Sequence, residues 1–154
     1  MTERPETASR WEEAIQAYEA QDRAQPPAPG PVLFTGSSSI ALWPDLAGDF
    51  APLPVLGRGF GGSTMADLRW FTERVILPYR PRAVVLYEGD NDIANAQTPA
   101  QVTAELRALI ARARAALPDV PFYVISVKIS PSRAFLSGQI RAANAALAAE
   151  CVRT

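Results

Sequence analysis

Four short apolar runs alternate along this chain with stretches of helical periodicity, and that alternation limits the possible folds more than any other feature. The runs are Val32-Leu33-Phe34, Leu53 to Leu56, Ala83-Val84-Val85-Leu86-Tyr87 and Phe122-Tyr123-Val124-Ile125-Ser126-Val127. Strands interleaved with helices build a parallel sheet between helical layers, joined by right-handed crossovers. The run from Ala83 to Tyr87 is apolar throughout, as suits a strand buried on both faces at the sheet centre. Pro52 and Pro54 flank or interrupt the second run; a proline cannot donate to a ladder, so this strand belongs at an edge. With 154 residues, 48% of them hydrophobic, the chain is long enough for one ordinary globular domain with its own core.

The intervening segments carry helix signals of different kinds. Ser9-Arg10-Trp11-Glu12 has the form of a capping box, and Trp11, Ile15 and Tyr18 then recur at helical spacing, which predicts an amphipathic N-terminal helix. The following Gln25-Pro26-Pro27-Ala28-Pro29-Gly30-Pro31 cannot be helical and reads as a stiff connector. Residues 1–31 are therefore expected to form a helix and Pro-rich connector ahead of an α/β domain over 32–154. A helix is predicted from about Thr64, with Leu68, Phe71 and Val75 on its apolar face, ending before Pro78. Thr98, Pro99 and Gln101 supply an N-cap, a first-turn proline and a back-reaching glutamine; Val102, Leu106, Leu109, Ala113 and Leu117 form the stripe of that helix. Ile140, Ala143 and Leu147 mark a last amphipathic helix.

Charge and cysteine usage exclude several functions. The net charge is −1 with both signs interspersed, which gives no electrostatic footprint for nucleic acid or an anionic membrane. The single cysteine, Cys151, cannot form an internal disulfide and belongs to no zinc-type cluster. The charged amino-terminal residues lead into no apolar stretch, and no run of about 18 apolar residues occurs, so a soluble, cytoplasmic protein is expected. No cofactor and no metal are expected either: the acidic segment Glu88-Gly89-Asp90-Asn91-Asp92 does not match a calcium-loop pattern.

If the four strands are parallel, their carboxyl ends project the loops Gly36 to Ser39, Gly57 to Thr64, Gly89 to Asp92 and Lys128 to Ser130 into one crevice, where ligands of open α/β sheets bind. Val32-Leu33-Phe34-Thr35-Gly36-Ser37-Ser38-Ser39-Ile40 ends a strand on a glycine and then presents three hydroxyls, a place for either a nucleophile or a helix N-cap. Gly59-Phe60-Gly61-Gly62-Ser63-Thr64 frees backbone N–H groups for an anion or serves as a tight turn. Asn91 beside Gly89 can donate its amide into the crevice or close an Asx turn.

In order and spacing, these three blocks resemble the SGNH/GDSL hydrolase family, and the resemblance covers nearly the whole chain from Val32 onward. It implies a flavodoxin-like three-layer α/β/α fold with a mostly parallel sheet, and hydrolysis of a small-molecule or lipid-like ester. It further implies Ser38 as nucleophile, an oxyanion hole from the Ser38 and Gly62 N–H groups and the Asn91 side chain, and supporting roles for Gly36, Ser37, Gly59, Gly61 and Gly89. Ser37 stands where that family usually has aspartate, which leaves Ser37, Ser38 and Ser39 all as candidates, with Ser38 favoured by register. The family's closing Asp-x-x-His block has no counterpart, and the chain contains no histidine at all. It is accordingly expected to be a shortened copy, with about four strands and the fifth missing, and to be nearly inactive as it stands, because a serine without its base is a poor nucleophile.

Lys128 as a substitute base for a serine, and Glu88, Asp90 or Asp92 near the site, are the remaining candidates for proton transfer. Two other functions compete. Gly57-x-Gly59-x-x-Gly62 with Glu88 satisfies the form of a dinucleotide fingerprint, although it follows a proline-flanked edge strand. Alternatively the chain is a catalytically inert truncated domain, whose unpaired sheet edge would promote a homo-oligomer.

Overall fold

The structure is a computed structural model and describes residues 5–152. Sequence readings on Met1 to Arg4, and on Arg153 and Thr154, fall outside the described residues. Strands β1 (Val32–Gly36), β2 (Val55–Gly59), β3 (Ala83–Tyr87) and β4 (Phe122–Val124) form one parallel sheet in the order β2-β1-β3-β4. Gly36 lies level with Gly59 on one side and Tyr87 on the other, so three strands end flush at one rim. This is the α/β fold the alternation predicts, with the all-apolar β3 central and the proline-flanked β2 at an edge.

Side-chain alternation along the strands separates two apolar clusters. Leu33, Val84 and Leu86 face a large core built with helices α1 (Glu12–Ala24), α4 (Met65–Trp70), α5 (Thr72–Val75), α7 (Pro99–Ala116) and α8 (Ser137–Cys151). Val32, Phe34 and Tyr87 point the other way, against residues of the short helices α2 (Ser38–Ala41) and α3 (Leu46–Asp49) and against Trp43 and Phe50. The second face is covered only in part: on β4, Tyr123 is 59% exposed. Among the described residues no helix is long and apolar enough to cross a membrane.

The N-terminal helix packs directly on this core. Ala8 and Ile15 are fully buried in it, Asp22 pairs with Arg58, and Arg74 is forked between Glu12 (2.8 Å) and Glu19 (2.6 Å). α7 begins as its sequence says, with Thr98 and Gln101 in a reciprocal capping box and Pro99 at the first turn.

Four boundaries differ from the sequence reading, each for a local reason. The Ser9 capping box does not form: Pro5 starts a 3₁₀ segment over Glu6–Trp11, so Ser9 lies inside a turn and α1 opens at Glu12 with no side-chain cap. β2 begins at Val55, because Leu53 closes a turn onto the Phe50 carbonyl and Pro54 contributes only its carbonyl, which accepts from Val32 N–H. The helix expected from Thr64 breaks at Phe71 into α4 and α5, and Pro78 sits within a following 3₁₀ turn, Leu77–Tyr79. β4 is shorter than the apolar run: Ile125 N–H still reaches Leu86 O (2.8 Å), but at Val127 the Asn144 carboxamide takes both the N–H (2.8 Å) and the C=O (2.9 Å).

Gly36 sets the packing at the rim. Its φ is +130°, and a Cβ placed there would lie 2.0 Å from the Tyr87 carbonyl oxygen. Gly36→Ala therefore combines backbone strain with overpacking at a central strand. It is expected to lower unfolding free energy by about 3 kcal/mol or more in urea titrations; a loss below about 1 kcal/mol would contradict this account of the rim.

Candidate active site

Hydrogen bonds tie the loops after β1, β2 and β3 into one rim. Ser37 N–H donates to Tyr87 O (3.1 Å) and Phe60 N–H donates to Gly36 O (2.8 Å), so each loop is pinned to its neighbour at its first residue. Gly59 fits only without a side chain, since a Cβ would lie 2.5 Å from the Ala41 nitrogen at the end of α2. Gly61 lies across from Ser38, its Cβ position 3.7 Å from Ser38 Cβ. Gly62, at φ +87°, turns the chain beneath the Trp11 ring of the N-terminal segment. Ser63 is then buried, and its carbonyl accepts from Asn91 Nδ2 at 2.8 Å. The Gly61-Gly62-Ser63 turn thus touches Ser38 at one end and Asn91 at the other.

The serine triplet divides by exposure. Ser37 is 1% exposed and its carbonyl accepts the first helical bonds of α2, whereas Ser38 and Ser39 are half-buried. Ser38 and Ser39 line an open depression of about 330 Å³ with Leu42, Trp43, Pro44 and Lys128. The backbone N–H groups of Ser38 and Gly62 meet no acceptor among the described residues.

Asn91 is held from both sides of its amide. One Nδ2 hydrogen goes to Ser63 O, and Oδ1 accepts from the Arg133 guanidinium at 3.0 Å. A primary amide carries two donor hydrogens, so this clamp fixes which way the second one points. Arg133 is itself anchored on Asp90 at 2.6 Å. Gly89, at φ +115°, stands at the head of the short helix α6 (Asp90–Ala94), its Cβ position 3.0 Å from Val127 Cγ2.

The acidic residues near the rim have structural partners. Asp67 closes a capping box with Thr64 at the start of α4 and accepts a bond from Thr7. Asp92 accepts Met65 N–H on both oxygens (3.1 and 3.2 Å); burial pushes its carboxyl up to about 6, against the opposing effect of that N–H. Glu88 is fully buried, and its Oε1 accepts the Ser63 hydroxyl at 2.5 Å while Oε2 has no partner among the described residues. Burial pushes Glu88 well above the usual carboxylate range; the Ser63 hydroxyl opposes this, and Asp92, Asp67 and Asp90 reinforce it. A buried Glu88 cannot reach a ribose hydroxyl, and the space at Gly59 is filled by α2, so the glycines of the dinucleotide fingerprint serve loop packing instead.

Arg133 and Trp11 were absent from the sequence reading of the site, and neither carried a signal: one lies in a connecting turn, the other on a helix. The Thr64-to-Asp67 capping box was legible as a Thr followed three residues later by an acid.

An open parallel sheet with a serine-bearing loop, a glycine turn and a clamped asparagine along its carboxyl rim defines a three-layer α/β protein with a crevice suited to acyl chemistry. The chain belongs to the GDSL-like Lipase/Acylhydrolase family, whose pattern it matches over residues 6–154. No curated protein matches it. Among solved structures it is similar to a provisionally assigned acylhydrolase from Bacteroides fragilis, with a TM-score of 0.73 at 25% identity over 87% of this chain and 70% of that one. A GDSL-like lipase from Bacteroides thetaiotaomicron superposes with a TM-score of 0.73 at 21% identity, covering 88% of this chain and 71% of the other. A catalytic variant of an acetylxylan esterase from Geobacillus stearothermophilus gives 0.52 at 18%, covering 80% and 74%.

The raised carboxyls make stability depend on pH in a definite direction. A folded state that retains protons which the unfolded chain releases is favoured fully at low pH and loses that advantage as pH rises through the folded pKa. For Asp92 the loss runs from about 3.8 to about 6; for Glu88 it continues to higher pH. Glu88→Gln should flatten the upper part of the profile, where the wild type falls by at most about 1.4 kcal/mol per pH unit, and leave the Asp92 part in place. Urea midpoints from pH 4 to 9 test this, and superimposable profiles would show that Glu88 does not titrate as its burial demands.

Proposed function

We propose that this rim is the acyl-transfer site of a serine esterase, with Ser38 as nucleophile acting on a small or lipid-like ester. In this reading Ser38 Oγ attacks the carbonyl carbon, its proton passes to a base, and the oxygen becomes an oxyanion. The N–H groups of Ser38 and Gly62 and the second Nδ2 hydrogen of Asn91 receive that oxyanion. Collapse expels the alcohol and leaves an acyl-serine, which water then cleaves to the acid. The observation that carries the proposal is the Gly61-Gly62-Ser63 turn, packed on Ser38 and holding Asn91 through Ser63 O. Ser37 is a weaker candidate because it is buried; Gly36, Gly59 and Gly89 serve by letting the loops approach.

Within these 154 residues there is no imidazole, Lys128 bonds Ser39, and Glu88, Asp90 and Asp92 are taken up by Ser63, Arg133 and Met65 N–H, so in this reading the serine proton goes to solvent or to a base supplied from outside the chain. Loss of the triad histidine lowers turnover by up to about 10⁶ in serine proteases, which leaves the binding and oxyanion contributions. Acylation should consequently be slow and should accelerate when imidazole is added.

A fluorophosphonate probe tests the assignment. Labelling in the presence of imidazole should map to Ser38 and vanish in Ser38→Ala, while Ser39→Ala keeps it. Asn91→Ala should slow labelling by roughly 10²-fold through loss of one oxyanion donor. Labelling that survives Ser38→Ala, or none with imidazole present, would rule the esterase site out. Arg133→Ala should slow labelling less than Asn91→Ala, because the amide is still held by Ser63 O; equal or greater loss would mean that Arg133 contacts the reacting group itself.

A further inference from the structure

Lys128 is the only lysine in a chain with fourteen arginines. Every ion pair among the described residues uses an arginine, including the Arg133–Asp90 pair at the rim. Lys128 has no carboxylate partner among those residues. Its Nζ instead donates to Ser39 Oγ at 2.6 Å and stands 5.4 Å from the centre of the Tyr87 ring. Asp90, an acidic group acting on Tyr87, is occupied by Arg133 at 2.6 Å. An ammonium has three donor hydrogens, of which Ser39 takes one. Ser39 Oγ accepts from the ammonium and its hydroxyl also bonds the Tyr87 side chain, so Ser39 fixes the Lys128 head at the rim.

This pair opens into the depression that also holds Ser38, whose remaining wall is Leu42, Trp43 and Pro44. Leu42 is 77% exposed, a large apolar side chain left uncovered beside an uncompensated cation. A cation with two donor hydrogens left and a short apolar wall suit a ligand with an anionic oxygen group and a small hydrocarbon part.

We infer that Lys128, held in place by Ser39, forms an anion subsite next to Ser38, so that the ester this site takes carries a carboxylate or phosphate on the part lying against Leu42 and Trp43. The inference rests on the esterase reading for its substrate class, but its geometry does not depend on turnover. It gives Ser39 a positioning role distinct from the nucleophile and gives Lys128 the role of charge recognition, not of base.

A single lysine makes the test direct. Lys128 in the full chain is acetylated with N-hydroxysuccinimidyl acetate and quantified by peptide mass spectrometry. The reaction is run alone and with monomethyl succinate, phenyl phosphate or neutral methyl butyrate. Monomethyl succinate or phenyl phosphate should slow acetylation about fivefold or more, as expected with the ligand at several times its dissociation constant, and methyl butyrate should not. The two anions separate carboxylate from phosphate preference. Thermal unfolding supplies the second measurement: the protecting anion should raise the midpoint of the wild type and of Lys128→Arg, but not of Lys128→Met. No protection by either anion, or equal protection by methyl butyrate, overturns the inference. Protection together with a Ser38 that no probe labels would keep the anion subsite and remove the esterase; a labelled Ser38 without protection would do the reverse.

Discussion

The rim of this protein depends on the close approach of the β1 and β3 backbones at Gly36. A side chain there would collide with the Tyr87 carbonyl, and it is this carbonyl that accepts Ser37 N–H. The Gly36 carbonyl in turn receives Phe60 N–H from the end of β2. One residue therefore sets the starting points of three loops, and the serine, the glycine turn and the asparagine inherit their positions from it. The strong constraint is backbone to backbone and makes no use of the Ser37 side chain.

Electrostatics at the rim do structural work that a list of acidic residues does not disclose. Asp67 caps α4, Asp92 holds Met65 N–H, Glu88 holds the Ser63 hydroxyl, and Asp90 anchors the arginine that steadies Asn91. Each carboxyl that could have been read as a base or a metal ligand is spent on fixing a loop. Burial raises two of them, and the resulting cost in stability at neutral pH is borne where the loops must be rigid. This arrangement leaves Lys128 as the charged group at the depression without an opposite charge.

Much of the fold was legible because its signals are local. The five apolar residues of β3, the prolines beside β2, and Thr98-Pro99-Ala100-Gln101 each state their structure within a few positions. The three loop blocks were legible as a set, because each follows its own strand. What escaped was long-range or competitive. The Asn91 clamp needs Arg133, 42 residues away, in a turn with no periodicity. The end of β4 is decided by Asn144, whose carboxamide imitates a neighbouring strand at Val127. The Ser9 box had the right letters, yet Pro5 started a turn first and Ala8 was drawn into the core.

In the proposed esterase site, two requirements of serine chemistry are physically separate. Ser38, Gly62 and Asn91 are positioned by the β1–β3 contact, the Trp11 ring over Gly62 and the Ser63 carbonyl, none of which involves a general base. In a triad enzyme the histidine takes the proton and its carboxylate partner orients it, while the oxyanion donors act on a different atom of the intermediate. In that proposed site an added imidazole would act on the Ser38 proton and leave the rim around it in place. The geometry of this chain is compatible with a base arriving as a separate molecule, and the fold has no need of one in order to form.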